Sequence, residues 1–128
     1  MAARLIGNNQ LVSANGTPYQ STPVTLFRSG TGHVIFVEVA LSGAKSGTNN
    51  LKLTWDGIPN PQDSDASKKF IEETDTSIWP VTIIDQDQAD STFTDMFHIP
   101  GTYGVGRLVG TRSGTGSNTF DLTWWISP

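Results

Sequence analysis

The sequence predicts an all-β domain, an antiparallel β-sandwich or jelly-roll-like barrel of about seven or eight strands with at most one short helix. Three observations carry this. Short runs alternate apolar and polar residues with the period of two that a half-buried strand requires. Clusters of Gly, Asn, Ser, Thr and Pro separate those runs and supply turns. Gly, Ser and Thr are abundant while Lys and Glu are few, a composition that disfavours helices.

Residues 1–20 are polar and rich in turn signals, notably Asn8-Asn9 and Asn15-Gly16-Thr17-Pro18. They are expected to form an N-terminal arm, with a short strand near residues 10–14. Residues 21–128 are expected to form one β-sandwich domain. Within it, residues 33–41 are the most apolar strand. Ile35, Val37, Val39 and Leu41 share one face, and Val34, Phe36, Glu38 and Ala40 share the other. Apolar residues on both faces predict a strand covered on both sides over part of its length. Glu38 is expected to reach solvent or to pair with an arginine.

Residues 51–56 alternate cleanly, with Leu51, Leu53 and Trp55 inward. Residues 66–75 hold the one plausible helix, capped by Asp65 or Ser67, with Phe70 and Ile71 toward the core. Residues 78–85 read as a strand that Pro80 places at a start or an edge. Residues 92–99 form another strand, and residues 102–111 and 118–127 a final hairpin. In its last strand Phe120, Leu122, Trp124 and Ile126 alternate with Asp121, Thr123 and Trp125.

A short pattern recurs. Lys45-Ser46-Gly47-Thr48 precedes Leu51-x-Leu53-Thr54-Trp55, and Arg112-Ser113-Gly114-Thr115 precedes Phe120-x-Leu122-Thr123-Trp124. Arg28-Ser29-Gly30-Thr31 repeats the turn alone. The pattern reads either as a duplicated hairpin or as the ordinary chemistry of tight turns. The turns at Arg28 and Lys45 lie at opposite ends of the strand between them, so at most two of the three can share an end of the domain.

Charge and composition narrow the function. Eight Lys and Arg against 12 Asp and Glu give a net charge of −4. Such a chain lacks the clustered cationic footprint of a nucleic-acid binder. No apolar run approaches the ~20 residues of a membrane span, and no secretory leader is readable at the start. Cysteine is absent, which rules out disulfides and thiolate metal sites.

No catalytic constellation emerges, so the chain is not expected to be an enzyme, and no cofactor or metal is expected. His33 and His98 stand at no ligand or triad spacing. Asp85-x-Asp87-x-x-Asp90 fails the calcium-loop pattern: Asp90 occupies the glycine position and Met96 the final glutamate position. A solvated acidic loop is its plain reading. Gly101-Thr102-Tyr103-Gly104-Val105-Gly106 lies between strands and opens no helix onto a phosphate.

Aromatic and basic residues are the remaining signal. Trp55 and Trp124 continue inward rows and read as core. Trp125 falls on the polar side of the last strand, where an interface, a ligand or burial under the N-terminal segment would account for it. Trp79 and Tyr103 are further aromatic candidates, and Arg28, Lys45 and Arg112 are the basic ones. In the Met1-Ala2-Ala3 start, the Gly101-Thr102-Tyr103 lead into a strand and the closing Leu122-Thr123-Trp124-Trp125-Ile126, the chain resembles small virion proteins of tailed bacteriophages, namely capsid decoration (cement) proteins and related tail β-sandwiches. That resemblance implies a homo-oligomer, a trimer for preference, bound to a major capsid or other virion protein and located on the virion after synthesis in the host cytoplasm. A carbohydrate-binding β-sandwich, stacking sugars on Trp125, Trp79 and Tyr103, is the alternative.

Overall fold

The computed structural model describes residues 4–13, 18–25, 33–41, 46–58, 70–72, 79–83, 92–99 and 105–127, and all regular structure among them is β. The strands are β1 (Arg4–Val12), β2 (Tyr19–Gln20), β3 (Val24–Thr25), β4 (His33–Leu41), β5 (Asn50–Ile58), β6 (Ile71–Glu72), β7 (Val81–Ile83), β8 (Thr92–Ile99), β9 (Val105–Ser113) and β10 (Phe120–Ile126).

They pair into two antiparallel sheets. Sheet A runs β1-β10-β4-β8. In sheet B, β9 and β5 are central; β2 and β3 both pair with β9, and β6 and β7 both pair with β5. Counting β2/β3 and β6/β7 as interrupted single ribbons, each sheet is four ribbons wide. The chain then visits the sheets in the order A, B, A, B, B, A, B, A. That connectivity is a jelly roll, a two-sheet sandwich of eight strands in two Greek keys.

The break between β2 and β3 has a local cause. Pro23 has no N–H for the ladder, and Ser21 bridges the gap. Its N–H donates to the Leu108 carbonyl at 3.0 Å, and its hydroxyl accepts the Leu108 N–H at 3.0 Å.

The inner faces follow the alternation. Ile35, Val37, Val39 and Leu41 from β4 and Phe120, Leu122, Trp124 and Ile126 from β10 meet Leu51, Leu53 and Trp55 from β5 and Leu108 from β9. Trp55 and Trp124 join the sheets through an edge-to-face contact, 6.2 Å between centroids and 79° between planes. Such a pair contributes about 0.5–1.5 kcal/mol beyond the area it buries.

Three expectations change. Residues 4–12, read as part of an arm, are an edge strand of sheet A that pairs with β10. Two bulges hid the strand from pattern reading. Its register shifts between Leu5 and Gly7 and again between Gly7 and Gln10, with Asn9 at φ 52°. Each extra residue breaks the period of two, and Asn is among the few residues that accept this backbone region readily. The Asn9 N–H donates to Thr123 Oγ1 at 3.1 Å and secures the second bulge.

The helix expected over residues 66–75 is absent at its described positions. Ile71 and Glu72 pair as a strand with Gly57 and Asp56. Two helical turns are marginal alone, and ladder bonds to β5 outweigh them. Phe70 does not join the core cluster but lies under the Arg107 guanidinium, 3.9 Å from Cζ to the ring centroid. Finally, β4 is central within sheet A, but among the described residues its outer face is only partly covered: Phe36 and Glu38 are exposed, and Val34 and Ala40 are half-buried.

Tyr19 ties β2 to sheet A. Its hydroxyl accepts a hydrogen bond from Trp124 Nε1 at 3.1 Å. Burial raises its pKa above the usual 10.0, while the Trp124 hydrogen bond opposes the shift. The folded state thus holds the phenol proton more tightly than the unfolded chain. The associated stability is fully present below pH 10 and is lost as pH rises through the folded-state pKa. Chemical denaturation between pH 8 and pH 12 should show a stability loss in this window that is smaller in Tyr19→Phe. An identical alkaline loss in both proteins would refute the assignment.

Candidate functional site on the outer face of sheet A

The outer face of sheet A is built by register. Trp125 on β10 stands opposite Leu5 on β1 and Phe36 on β4. Two residues along, Thr123 stands opposite Glu38. Two further, Asp121 stands between Leu11 and Ala40. Direct cross-strand partners lie on one face about 4.5–5.5 Å apart. Leu5, Trp125 and Phe36 therefore form one continuous apolar row across three strands, with acidic residues in the next two rows.

None of the three belongs to the core. Leu5 is 48% exposed, Leu11 67% and Phe36 38%, and Trp125 is half-buried between its neighbours. The N-terminal strand thus flanks Trp125 within the sheet and does not lie over it. A grouped set of exposed large apolar residues marks an interaction surface more often than scattered single ones do.

The carboxylates of this face have no cationic partner among the described residues. Glu38 is exposed. Asp121 is half-buried, and its Oδ1 is sealed from solvent without a donor. Sheet B differs. There Asp56 pairs with Arg107 at 3.4 Å and Glu72 with Lys52 at 4.0 Å.

The other proposed site residues are distributed differently. Trp79 is 1% exposed and part of the core cluster, next to the cis Trp79–Pro80 bond, so it offers no ring to a surface ligand. Arg112 turns inward. Its Nε donates to the Asn118 carbonyl at 2.8 Å and its Nη2 to Asn49 Oδ1. Arg28, Lys45 and Tyr103 lie outside the described residues, as do Asp85, Asp87 and Asp90. His33 and His98 occupy consecutive register positions, His33 opposite Ile99 and Val34 opposite His98.

Two of the recurring turns do meet. Segment 46–49 packs against segment 112–118 at one end of the sandwich. The Gly116 N–H donates to the Thr48 carbonyl at 2.8 Å, the Ser46 N–H to Asn118 Oδ1 at 2.8 Å, and the Thr48 N–H to Thr115 Oγ1 at 3.2 Å. The Ser46 and Ser117 hydroxyls are 2.7 Å apart. Gly47 at φ 68° and Gly114 at φ 105° adopt backbone that an L side chain resists. The polar groups here largely satisfy one another, so this end reads as a lock between two loops.

Sequence reading found Trp125 but missed Leu5, Leu11 and Phe36. Glu38 was the available signal for Phe36, since a charged residue two positions away on the same face argues that the face meets water. For Leu5 and Leu11 the bulges erased the signal. No family model of known proteins matches the chain, and no curated protein sequence matches it.

Proposed function

We propose that this protein is a structural subunit that docks onto other protein surfaces, in the specific form of a decoration (cement) protein that binds an assembled viral shell. The observation that carries the reading is the Leu5–Trp125–Phe36 row on the outer face of sheet A, with Leu11 exposed two rows away. The jelly roll adds support by analogy, because viral capsid domains use this architecture. A protein that binds the assembled shell and not its separate parts stabilises the shell by mass action. The resemblance to tailed-phage virion proteins supplies the viral setting and the preference for a trimer.

Immunogold labelling of particles from cells that express the chain tests this. Label on the shell is expected, with the particle-bound fraction falling about tenfold or more in the Trp125→Ser, Phe36→Ser double variant, a loss of ~1.4 kcal/mol or more. Label confined to the soluble fraction would overturn the reading. Light scattering on the purified chain is expected to give a trimer.

Carbohydrate binding has one observation in its favour. Trp125 and Phe36 stand side by side on adjacent strands, with Glu38 in the next row to accept hydroxyl hydrogen bonds. Jelly rolls also serve as lectin domains. A change in tryptophan fluorescence with a neutral glycan, abolished by Trp125→Ser, would favour this reading.

A further inference from the structure

We propose that the partner seated on the outer face of sheet A is a protein segment carrying arginine or lysine beside apolar side chains. This rests on the docking reading above and adds the chemistry of the partner.

Charge complementarity carries the inference. Glu38 and Asp121 sit one and two rows from the Trp125–Phe36 pair, and neither has a cationic partner among the described residues. A carboxylate with an oxygen cut off from both water and donors favours an approaching cation. The chain carries net charge −4, which adds a long-range attraction for a cationic partner.

Sheet B shows what such a face accepts. There Arg107 lies 3.9 Å over the Phe70 ring while its Nη2 reaches Asp56 Oδ2 at 3.4 Å. One guanidinium thus satisfies a ring and a carboxylate together. Sheet A presents the same two acceptors, the Trp125 ring and the Glu38 carboxylate, with no guanidinium from the described chain between them. The two positions are diagonal neighbours across β10 and β4, about 7–8 Å apart, within the span of one arginine side chain. Trp is the strongest cation–π acceptor among the side chains.

A second copy of this chain is a poor candidate for the occupant. Among the described cations, Lys52, Arg107 and Arg112 already have partners within the fold. Arg4 alone is uncommitted among them. Leu5 and Leu11 supply the apolar half of the contact.

The test uses the full chain, 15N-labelled, and three acetylated 12-residue peptides: alternating Leu and Arg, alternating Leu and citrulline, and alternating Leu and Glu. Citrulline keeps the shape of arginine without its charge. The Leu–Arg peptide is expected to shift the Trp125 indole, Phe36 and Thr123 resonances, and the citrulline peptide to bind about tenfold more weakly. Glu38→Gln is expected to lower Leu–Arg affinity to the citrulline level; the variant keeps its fold because Glu38 is exposed and makes no described contact. Equal affinity for the Arg and citrulline peptides at the same resonances would overturn the cationic partner and leave the docking face standing. Shifts elsewhere, or none with any peptide, would overturn the docking face as well. A neutral glycan that shifts these resonances equally in the wild type and in Glu38→Gln would identify a sugar platform and overturn the inference.

Discussion

Gly106→Ala is expected to destabilise the fold by about 3 kcal/mol, the upper end of the usual cost of overpacking a core. A Cβ at this position would sit against Cζ2, Cε2 and Nε1 of the Trp55 indole, 2.5 Å from Cε2 and 2.8 Å from Nε1. The ring cannot yield. Trp55 is fully buried and also meets Trp124 edge to face at 6.2 Å. Pushing it aside would move the contact that joins the two sheets. The Trp55 indole N–H also has no acceptor among the described residues, so Trp55→Phe removes an unsatisfied donor along with ring volume. The Gly106→Ala, Trp55→Phe double variant is therefore expected to be more stable than the sum of the single changes predicts. Urea denaturation of the four proteins measures this. Additive losses, or a Gly106→Ala loss under 1 kcal/mol, would show that β9 shifts away from the ring at little cost.

Arg112→Ala is expected to cost about 2–4 kcal/mol, because it leaves two acceptors at a buried site short of a donor. The guanidinium donates to Asn49 Oδ1 and to the Asn118 carbonyl. Asn49 and Asn118 are themselves buried and bonded to each other, Asn49 Nδ2 to Asn118 Oδ1 at 3.2 Å. Loss of Arg112 should loosen both loops together. Hydrogen exchange should then rise at the Ser46, Thr48 and Gly116 amides, whose acceptors lie across the lock. Lysine should restore only part of the stability, since its ammonium lacks the planar fork that serves two acceptors at once. A variant with unchanged stability and exchange would mean that water replaces the guanidinium there.

The legible part of the molecule was the part with unbroken local period. Strand β4 was readable to its ends, and in β5 and β10 the inward rows were legible, because alternation along one segment reports which side faces the core without knowledge of any neighbour. Tryptophans 55 and 124 could be assigned to the interior for the same reason. The contrary cases each have a cause. Two bulges and the Asn9 backbone masked β1. Two ladder pairs with β5 made Ile71 and Glu72 a strand where local signals favoured a helix. Pro80 did mark a strand start at the sheet edge, since β7 begins at Val81 and pairs with β5, but that signal did not report that Trp79 before it lies in the core.

The docking face illustrates the boundary. That Trp125 points away from the core follows from the last seven residues of the closing strand. That it stands between Leu5 and Phe36 depends on the pairing of residues 120 and 89 apart in the chain, and on the bulges that set the β1 register. The contact of segment 46–49 with segment 112–118 is similar: turn composition marked each one, while their meeting needed the two Greek keys to bring them to one end. Periodicity, charge and composition are properties of neighbours along the chain, and they specified an all-β sandwich with an acidic surface. Rows across a sheet are properties of register between distant strands, which hydrogen-bond ladders and core packing select only when the chain is folded.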